Sequence, residues 1–383
     1  MALISPRTYF GKIELIRFCC AFMIVIFHAF YGWHDNYGWP SFLTDGSGNL
    51  SSFGKLVENA VHNLVLNVDV FFLVSGFVIT HILLSEQEKT GTVHFGKYFL
   101  SRGSRILPLY YVVLAITPLY NYFFHEPEPD YLKYVFMTGN FELINKGWGA
   151  ATINPLWTLC IEAQFYFVWP FVIRYIPRKN LAHFFFLLIA ASVLFRALTL
   201  HSENWWMTVY MHTLSRMDVI AIGALIALWY HNSKTLTINI PRSLRLLVYT
   251  VFIFVFINDD LGNWDGMFLV TVKKYFYVGV AAFAFVNYLF NPTAMFALRE
   301  GHPFEKLGKI TYGMYAFNIV VVALVIKTWN AYGIKNMFLF YALILVSALV
   351  VAVISYFAIE RPFLNMKDIK FKRGFFSKKK SDS

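Results

Sequence analysis

Apolar runs of about twenty residues recur along this chain between short polar stretches, and this pattern restricts the fold more than any other feature. A hydrocarbon core about 30 Å thick is crossed by about 20 helical residues at 1.5 Å each. Ten such segments can be laid down, at 14–33, 61–84, 106–124, 156–176, 181–199, 212–230, 244–258, 272–290, 307–327 and 338–359, the seventh being short. Lipid cannot satisfy an exposed backbone N–H or C=O, so runs of this length read as helices. With 58% hydrophobic and only 14% charged residues, the chain is too apolar for a water-soluble domain. The expectation is an all-α integral membrane protein, a bundle of about ten transmembrane helices, multi-pass in an inner or plasma membrane.

Orientation follows from the basic residues, because cytoplasmic loops retain Lys and Arg. With the N-terminus inside, the inner segments hold Arg7, Lys12, Lys89, Lys97, Arg102, Arg105, Arg174, Arg178, Lys179, Lys234, Arg242, Arg245, Arg299, Lys306 and Lys309. The outer loops keep Lys55, Lys133, Lys146, Lys273, Lys274, Lys327 and Lys335, and gather Asp35, Asp45, Glu126, Glu128, Asp130, Asp259, Asp260 and Asp265. Both termini are therefore expected in the cytoplasm. The net charge of +11 is mostly this asymmetry plus a basic tail, which points to anionic lipid and away from nucleic acid.

One transmembrane domain over 1–366 and a basic cytoplasmic tail over 367–383 account for the whole pattern. No cleavable signal peptide is expected, since the first apolar run is long enough to span. Cys19, Cys20 and Cys160 fall inside spans at spacings that fit neither a disulfide framework nor a zinc site, and no metal is expected. Oligomeric state is left open.

Ionisable residues inside the spans then stand out, because each is costly at membrane depth and usually faces a cavity or pathway. Arg17 and His28 lie eleven positions apart in the first span. Eleven steps return His28 to within roughly 20° of the face of Arg17, about 16 Å further along the axis. In the outer half, Asp69, Glu162, Arg196, Arg216 and Asp218 join His28. On the inner side, Arg102 and Arg105 precede Pro108, Arg17 sits just inside, and Glu360-Arg361-Pro362 closes the last span. Arginines grouped at an inner surface suit a phosphate-rich ligand arriving from the cytoplasm, because each guanidinium can bind phosphate bidentately.

The strings carrying these residues resemble the acyltransferase family 3 membrane enzymes. The Arg17–His28 spacing, FFLVSGF from Phe71 to Phe77 preceded by Asp69, and RGSRILPLYY from Arg102 to Tyr111 share the resemblance. So do LWTLCIEAQFYFVWP from Leu156 to Pro170, RMDVIAIGALIAL from Arg216, and GKITYGMY from Gly308 to Tyr315. The resemblance covers nearly the whole chain. It implies transfer of an acyl group, commonly acetyl, from cytoplasmic acyl-CoA to a hydroxyl, often of a carbohydrate or glycolipid reached on the extracytoplasmic side. By that likeness His28 is the base and Arg17 helps hold the donor. Two positions depart from it: Asn318 stands where relatives often carry His, and Cys160 where they often carry Ser. The hydrolase-like extension of some members is also not seen, so hand-off to a second catalytic domain is not expected.

The residue types suit that chemistry independently. Acyl transfer from a thioester to an alcohol needs a base, a group to orient it, and donors where oxyanion charge develops. His28 can serve as base, with Asp69 or Glu162 expected to hold its second ring nitrogen. Arg102 and Arg105, with Arg17, are the donor-binding candidates, and Arg216, Asp218, Arg196, Trp157 and Tyr166 the candidates for substrate or oxyanion support. Direct attack by the acceptor is preferred, with Ser75 and Cys160 as alternative covalent carriers.

Each feature has a plainer reading. Asp69 and Glu162 also suit structural partnership with Arg196 or Arg216, Arg102 and Arg105 suit topology anchors, and Ser75-Gly76 suits close helix approach. A proton-coupled transporter would use the same His, Asp, Glu and Arg cluster, though with paired repeats and broken helices that are not seen here. On the enzymatic reading, a charged vestibule and an imidazole-lined chamber are expected to border one connected passage.

Overall fold

The computed structural model describes residues 10–233, 237–258, 267–294, 302–334 and 336–365, the side chains of 267–272 excepted. Among them there are helices and no strand, only an isolated bridge between Thr44 and Leu50. In chain order the α-helices are α1 (Gly11–Tyr37), α2 (Ser52–His62), α3 (Asn67–Thr90), α4 (Phe95–Phe124), α5 (Tyr131–Val135), α6 (Gly139–Lys146) and α7 (Leu156–Tyr175). They continue with α8 (Arg178–Thr199), α9 (Trp205–Met211), α10 (Thr213–Asn232), α11 (Arg242–Asn258), α12 (Met267–Phe290), α13 (Thr311–Tyr332) and α14 (Met337–Ser355).

Eight helical stretches among the described residues are long and apolar enough to cross a membrane, fewer than the ten expected. Two of them join neighbouring helices: α2 runs into α3 through a 3₁₀ turn at Asn63–Leu66, and α9 runs into α10. The seventh and eighth expected spans do fold as helices, α11 and α12, but α11 has only 17 residues. Arg7, Lys234, Asp259, Asp260, Asp265, Arg299, Lys335 and the tail 367–383 lie outside the described residues.

Three boundaries differ from the hydropathy reading for one physical reason. Hydropathy marks where charges begin, whereas a helix ends where its backbone hydrogen bonds end, and long cationic side chains reach the interface from inside a helix. Thus α4 begins at Phe95, so Arg102 and Arg105 lie within it and Pro108 is internal. The Tyr312 hydroxyl donates to the carbonyl of Ile106 at 2.8 Å, tying this part of α4 to α13. The last helix passes through one π turn at Tyr356–Glu360 and continues to residue 365, so Glu360-Arg361-Pro362 does not close it. Lys274, assigned above to an outer loop, is buried inside α12.

Helix α3 is the most enclosed span, while α8 and α14 are the least. Without a hydrophobic force between helices in lipid, close packing of α3 on α10 depends on small residues. A Cβ on Gly76 would lie 2.1 Å from the Ile220 carbonyl oxygen, and one on Gly223 2.0 Å from that of Leu73. Only glycine fits at either crossing point, in agreement with the close-approach reading of Ser75-Gly76.

Candidate active site

Helix α1 forms because its apolar run contains neither proline nor an interior glycine before Gly32, and it carries both residues of interest on one face. His28 borders a small chamber of about 30 Å³. Ile24 and Phe27 of α1, Val65 and Val68 at the α2–α3 junction, Trp157 of α7, Tyr210 of α9 and Tyr315 and Asn318 of α13 form its walls. Trp148, Asn154 and Pro155 come over it from the segment between α6 and α7. Asn154 fixes that segment, accepting from Gly149 N at 2.8 Å and donating to Gly149 O at 2.9 Å.

His28 is half-buried, and its Nδ1 is buried with no partner within ordinary hydrogen-bond geometry among the described residues. Asn318 stands within hydrogen-bonding reach of the ring. Its amide nitrogen donates to the Tyr315 carbonyl, and its oxygen is likewise buried without a partner.

A second cavity, also about 30 Å³, contains Arg17, Glu162, Thr158 and Tyr312. Val68 and Tyr315 border both cavities, so they form a common wall. The Thr158 hydroxyl donates to the Tyr315 hydroxyl at 3.0 Å and holds that ring in place. The single connected passage expected from sequence is therefore two chambers stacked along α1, each sized for water and not for a substrate.

Arg17 lines the second chamber, and further cations lie near it. Glu14 lies 3.8 Å from Arg17 and 3.6 Å from Arg105. Arg17 is also within electrostatic reach of Glu162, Tyr166 and Glu360, and Arg102 within reach of Tyr166, Tyr98, Arg105 and Arg17. The three arginines expected at the donor site are thus brought together, with Tyr166 among them. Arg102 Nε is buried and has no hydrogen-bond partner among the described residues. A buried guanidinium N–H left open in this way is suited to an incoming anion.

The other expected residues are placed elsewhere. Asp69 does not meet His28: it accepts from Arg216 Nη1 at 2.7 Å and borders a separate apolar cavity of about 450 Å³. Arg216 in turn donates through Nε to the Tyr210 carbonyl at 2.8 Å and lies 4.9 Å from the Tyr210 ring and 5.8 Å from that of Trp157. The Asp69–Arg216 pair therefore stands behind the aromatic wall of the His28 chamber. Glu162 accepts from Ser75 Oγ at 2.5 Å and faces the arginine chamber, so it too does not reach the imidazole.

Arg196 and Asp218 pair with each other at 2.7 Å, fully buried. Asp218 also accepts from Lys274 Nζ at 3.1 Å, the Tyr275 hydroxyl at 2.8 Å and Val219 N at 2.8 Å. This network ties α8, α10 and α12 together and borders neither chamber. Cys160 is buried 3.5 Å from the Tyr110 hydroxyl, away from both.

Sequence reasoning missed Tyr315, Thr158 and Glu14 as site residues. The one local signal for the α13 pair was the three-residue spacing of Tyr315 and Asn318, which puts both on one helical face.

The acyltransferase domain family model, acyltransferase family 3, matches residues 10–357. The chain belongs to that family and is a multi-pass membrane protein. Among curated relatives, it is 26% identical over 345 residues to O-acetyltransferase OatA of Staphylococcus aureus (strain MRSA252), covering 82% of this chain and 55% of that one. It is 24% identical over 352 residues to peptidoglycan O-acetyltransferase OatA of Listeria monocytogenes, covering 82% of this chain and 53% of that one. The chain thus spans about half the length of the curated relatives it matches. No solved structure matches it.

Proposed function

We propose that this protein is a membrane O-acetyltransferase. It takes an acetyl group from acyl-CoA on the cytoplasmic side and passes it to a carbohydrate hydroxyl on the other side, with His28 as general base. One observation carries this reading: an imidazole at a small chamber, one side-chain wall away from a cavity lined by Arg17 with Arg102 and Arg105 close by, in a chain of the acyltransferase family. The name of the Listeria relative makes a peptidoglycan-type glycan the first acceptor class to try.

In this mechanism Arg17, Arg102 and Arg105 receive the donor phosphates, and the open Arg102 Nε supports their role. The acetyl thioester reaches the Tyr315 wall from the arginine side, and the acceptor hydroxyl approaches beneath Trp148. His28 takes the hydroxyl proton as the oxygen attacks the thioester carbonyl. The tetrahedral adduct then collapses, the carbon–sulfur bond breaks, and the imidazolium returns its proton to the thiolate. Asp69 acts indirectly, by holding Arg216 against Trp157 and Tyr210. Two water-sized chambers also mean that Tyr315 and its neighbours must move for both substrates to meet.

The test uses the purified full chain in lipid nanodiscs with radiolabelled acetyl-CoA and a soluble glycan fragment. Label is expected on the glycan, and the His28→Ala protein is expected to bind acetyl-CoA without transferring it. A proton-coupled transporter would leave acetyl-CoA intact. Near-normal turnover by His28→Ala would remove the base assignment.

A further inference from the structure

Two buried polar atoms belong to side chains that line the same small chamber, and neither has a partner within ordinary hydrogen-bond geometry among the described residues: His28 Nδ1 and Asn318 Oδ1. Such atoms are costly when unpaired, so a pair within reach of each other is more economically read as one hydrogen bond than as two orphans. The direction of that bond is decided by the amide's other end. Asn318 Nδ2 donates to the Tyr315 carbonyl, an atom that can only accept. The amide oxygen is therefore the end left free for the ring, and an oxygen can only accept from it.

We propose that Asn318 is a positioning residue for the base: its oxygen accepts from His28 Nδ1, fixing the tautomer whose Nε2 carries the lone pair. This rests on the reading of His28 as the base and adds how the base is kept competent. An imidazole free to hold its proton on Nε2 would present an N–H to the acceptor hydroxyl and could not remove a proton. Bases of this kind are usually oriented by a carboxylate or carbonyl on the second nitrogen. Asp69 and Glu162, the carboxylates expected in that role, are committed to Arg216 and Ser75. An amide does the orienting here without adding a second buried charge to the chamber. Its register on α13 follows from Tyr315, three residues earlier, whose carbonyl anchors it and whose ring forms the wall below.

The test reads the tautomer directly. Full-length protein labelled with ¹⁵N-histidine in nanodiscs gives a His28 signal by difference from His28→Gln. The parent is expected to show protonated Nδ1 and unprotonated Nε2, and Asn318→Leu is expected to lose that preference. In turnover, Asn318→Leu is expected to lower kcat about 10- to 100-fold with the donor KM unchanged, and Asn318→Asp, which keeps an acceptor oxygen, to recover part of it. A parent ring protonated on Nε2 overturns the proposal even if no variant folds. So does Asn318→Leu with normal kcat and an unchanged tautomer. If His28→Ala itself stays active, the base reading fails; if it is inactive while Asn318→Leu turns over normally, only the Asn318 inference fails.

Discussion

Two buried polar clusters in this bundle treat their central groups differently. Around Asp218, two cations, a tyrosine hydroxyl and a backbone N–H saturate one carboxylate. Around the two stacked chambers, His28 Nδ1, Asn318 Oδ1 and Arg102 Nε are buried with no partner within ordinary hydrogen-bond geometry among the described residues. Both clusters hold groups that lipid disfavours, and sequence alone ranked them together. The central group separates them: the Asp218 carboxylate has its acceptor sites filled by neighbouring helices, with Arg196 Nε left over, whereas the other cluster leaves Arg102 Nε open to a ligand and His28 Nδ1 and Asn318 Oδ1 to the pairing proposed above.

The sharpest break of this contrast comes from exchanging its readouts. Replacing His28 with Ala is expected to lower transfer by about 10² to 10⁴, the range typical of a lost general base, with little change in thermal unfolding. The counterpart on the saturated side is Asp218→Ala, which leaves Arg196 and Lys274 buried without their carboxylate. It is expected to destabilise the fold by about 3–5 kcal/mol, seen as loss of monodisperse protein and a lower Tm. If the Asp218 variant folds normally but fails to turn over, or the His28 variant fails to fold, the two clusters have been assigned the wrong way round.

How far sequence could anticipate this follows from the range of each interaction. The Arg17–His28 register was legible because it depends only on the pitch of one helix. The grouping of Arg17, Arg102 and Arg105 was legible because all three fall at the same end of their apolar runs. The destination of Asp69 was not, because its partner Arg216 lies 147 residues away and pairing between helices leaves no periodic trace. Lys274 was misplaced for a related reason: a lysine near a span boundary reads as loop until a buried carboxylate on another helix is seen to claim it. Ten helices occupy the ten expected places, eight of them long and apolar enough among the described residues, with α11 short of that length; the start of α4 was misread where helix outruns hydropathy.

Arg102 tests the open side at a lower amplitude. Its guanidinium would bind donor phosphate alike in ground and transition states, so Arg102→Met is expected to raise the donor KM with kcat little changed. A charge-assisted hydrogen bond of about 1.5–3 kcal/mol corresponds to roughly 10- to 100-fold. Arg105, which already has Glu14 at 3.6 Å, should show the smaller effect of the two. Equal KM values in parent and both variants would return the arginines to topology anchoring.

The smallest expected effect is the most searching, because Tyr315 belongs to both halves of the comparison. Its ring divides the two chambers, yet its hydroxyl is already satisfied by Thr158. If saturation marks structural groups, Tyr315→Phe removes one ordinary hydrogen bond and nothing from the chemistry. Stability should fall by about 1 kcal/mol and kcat should stay within about twofold, because the ring and its wall remain. Thr158→Val should lose slightly more, since Thr158 Oγ1 also reaches the Pro155 carbonyl at 3.2 Å, and the double variant should add little to Thr158→Val alone because the bond to Tyr315 is shared. A drop of about a hundredfold in kcat with Tyr315→Phe, and not with Thr158→Val, would mean that the hydroxyl leaves Thr158 during turnover to serve the reacting carbonyl. A filled valence in the resting fold would then no longer be a guide to structural duty.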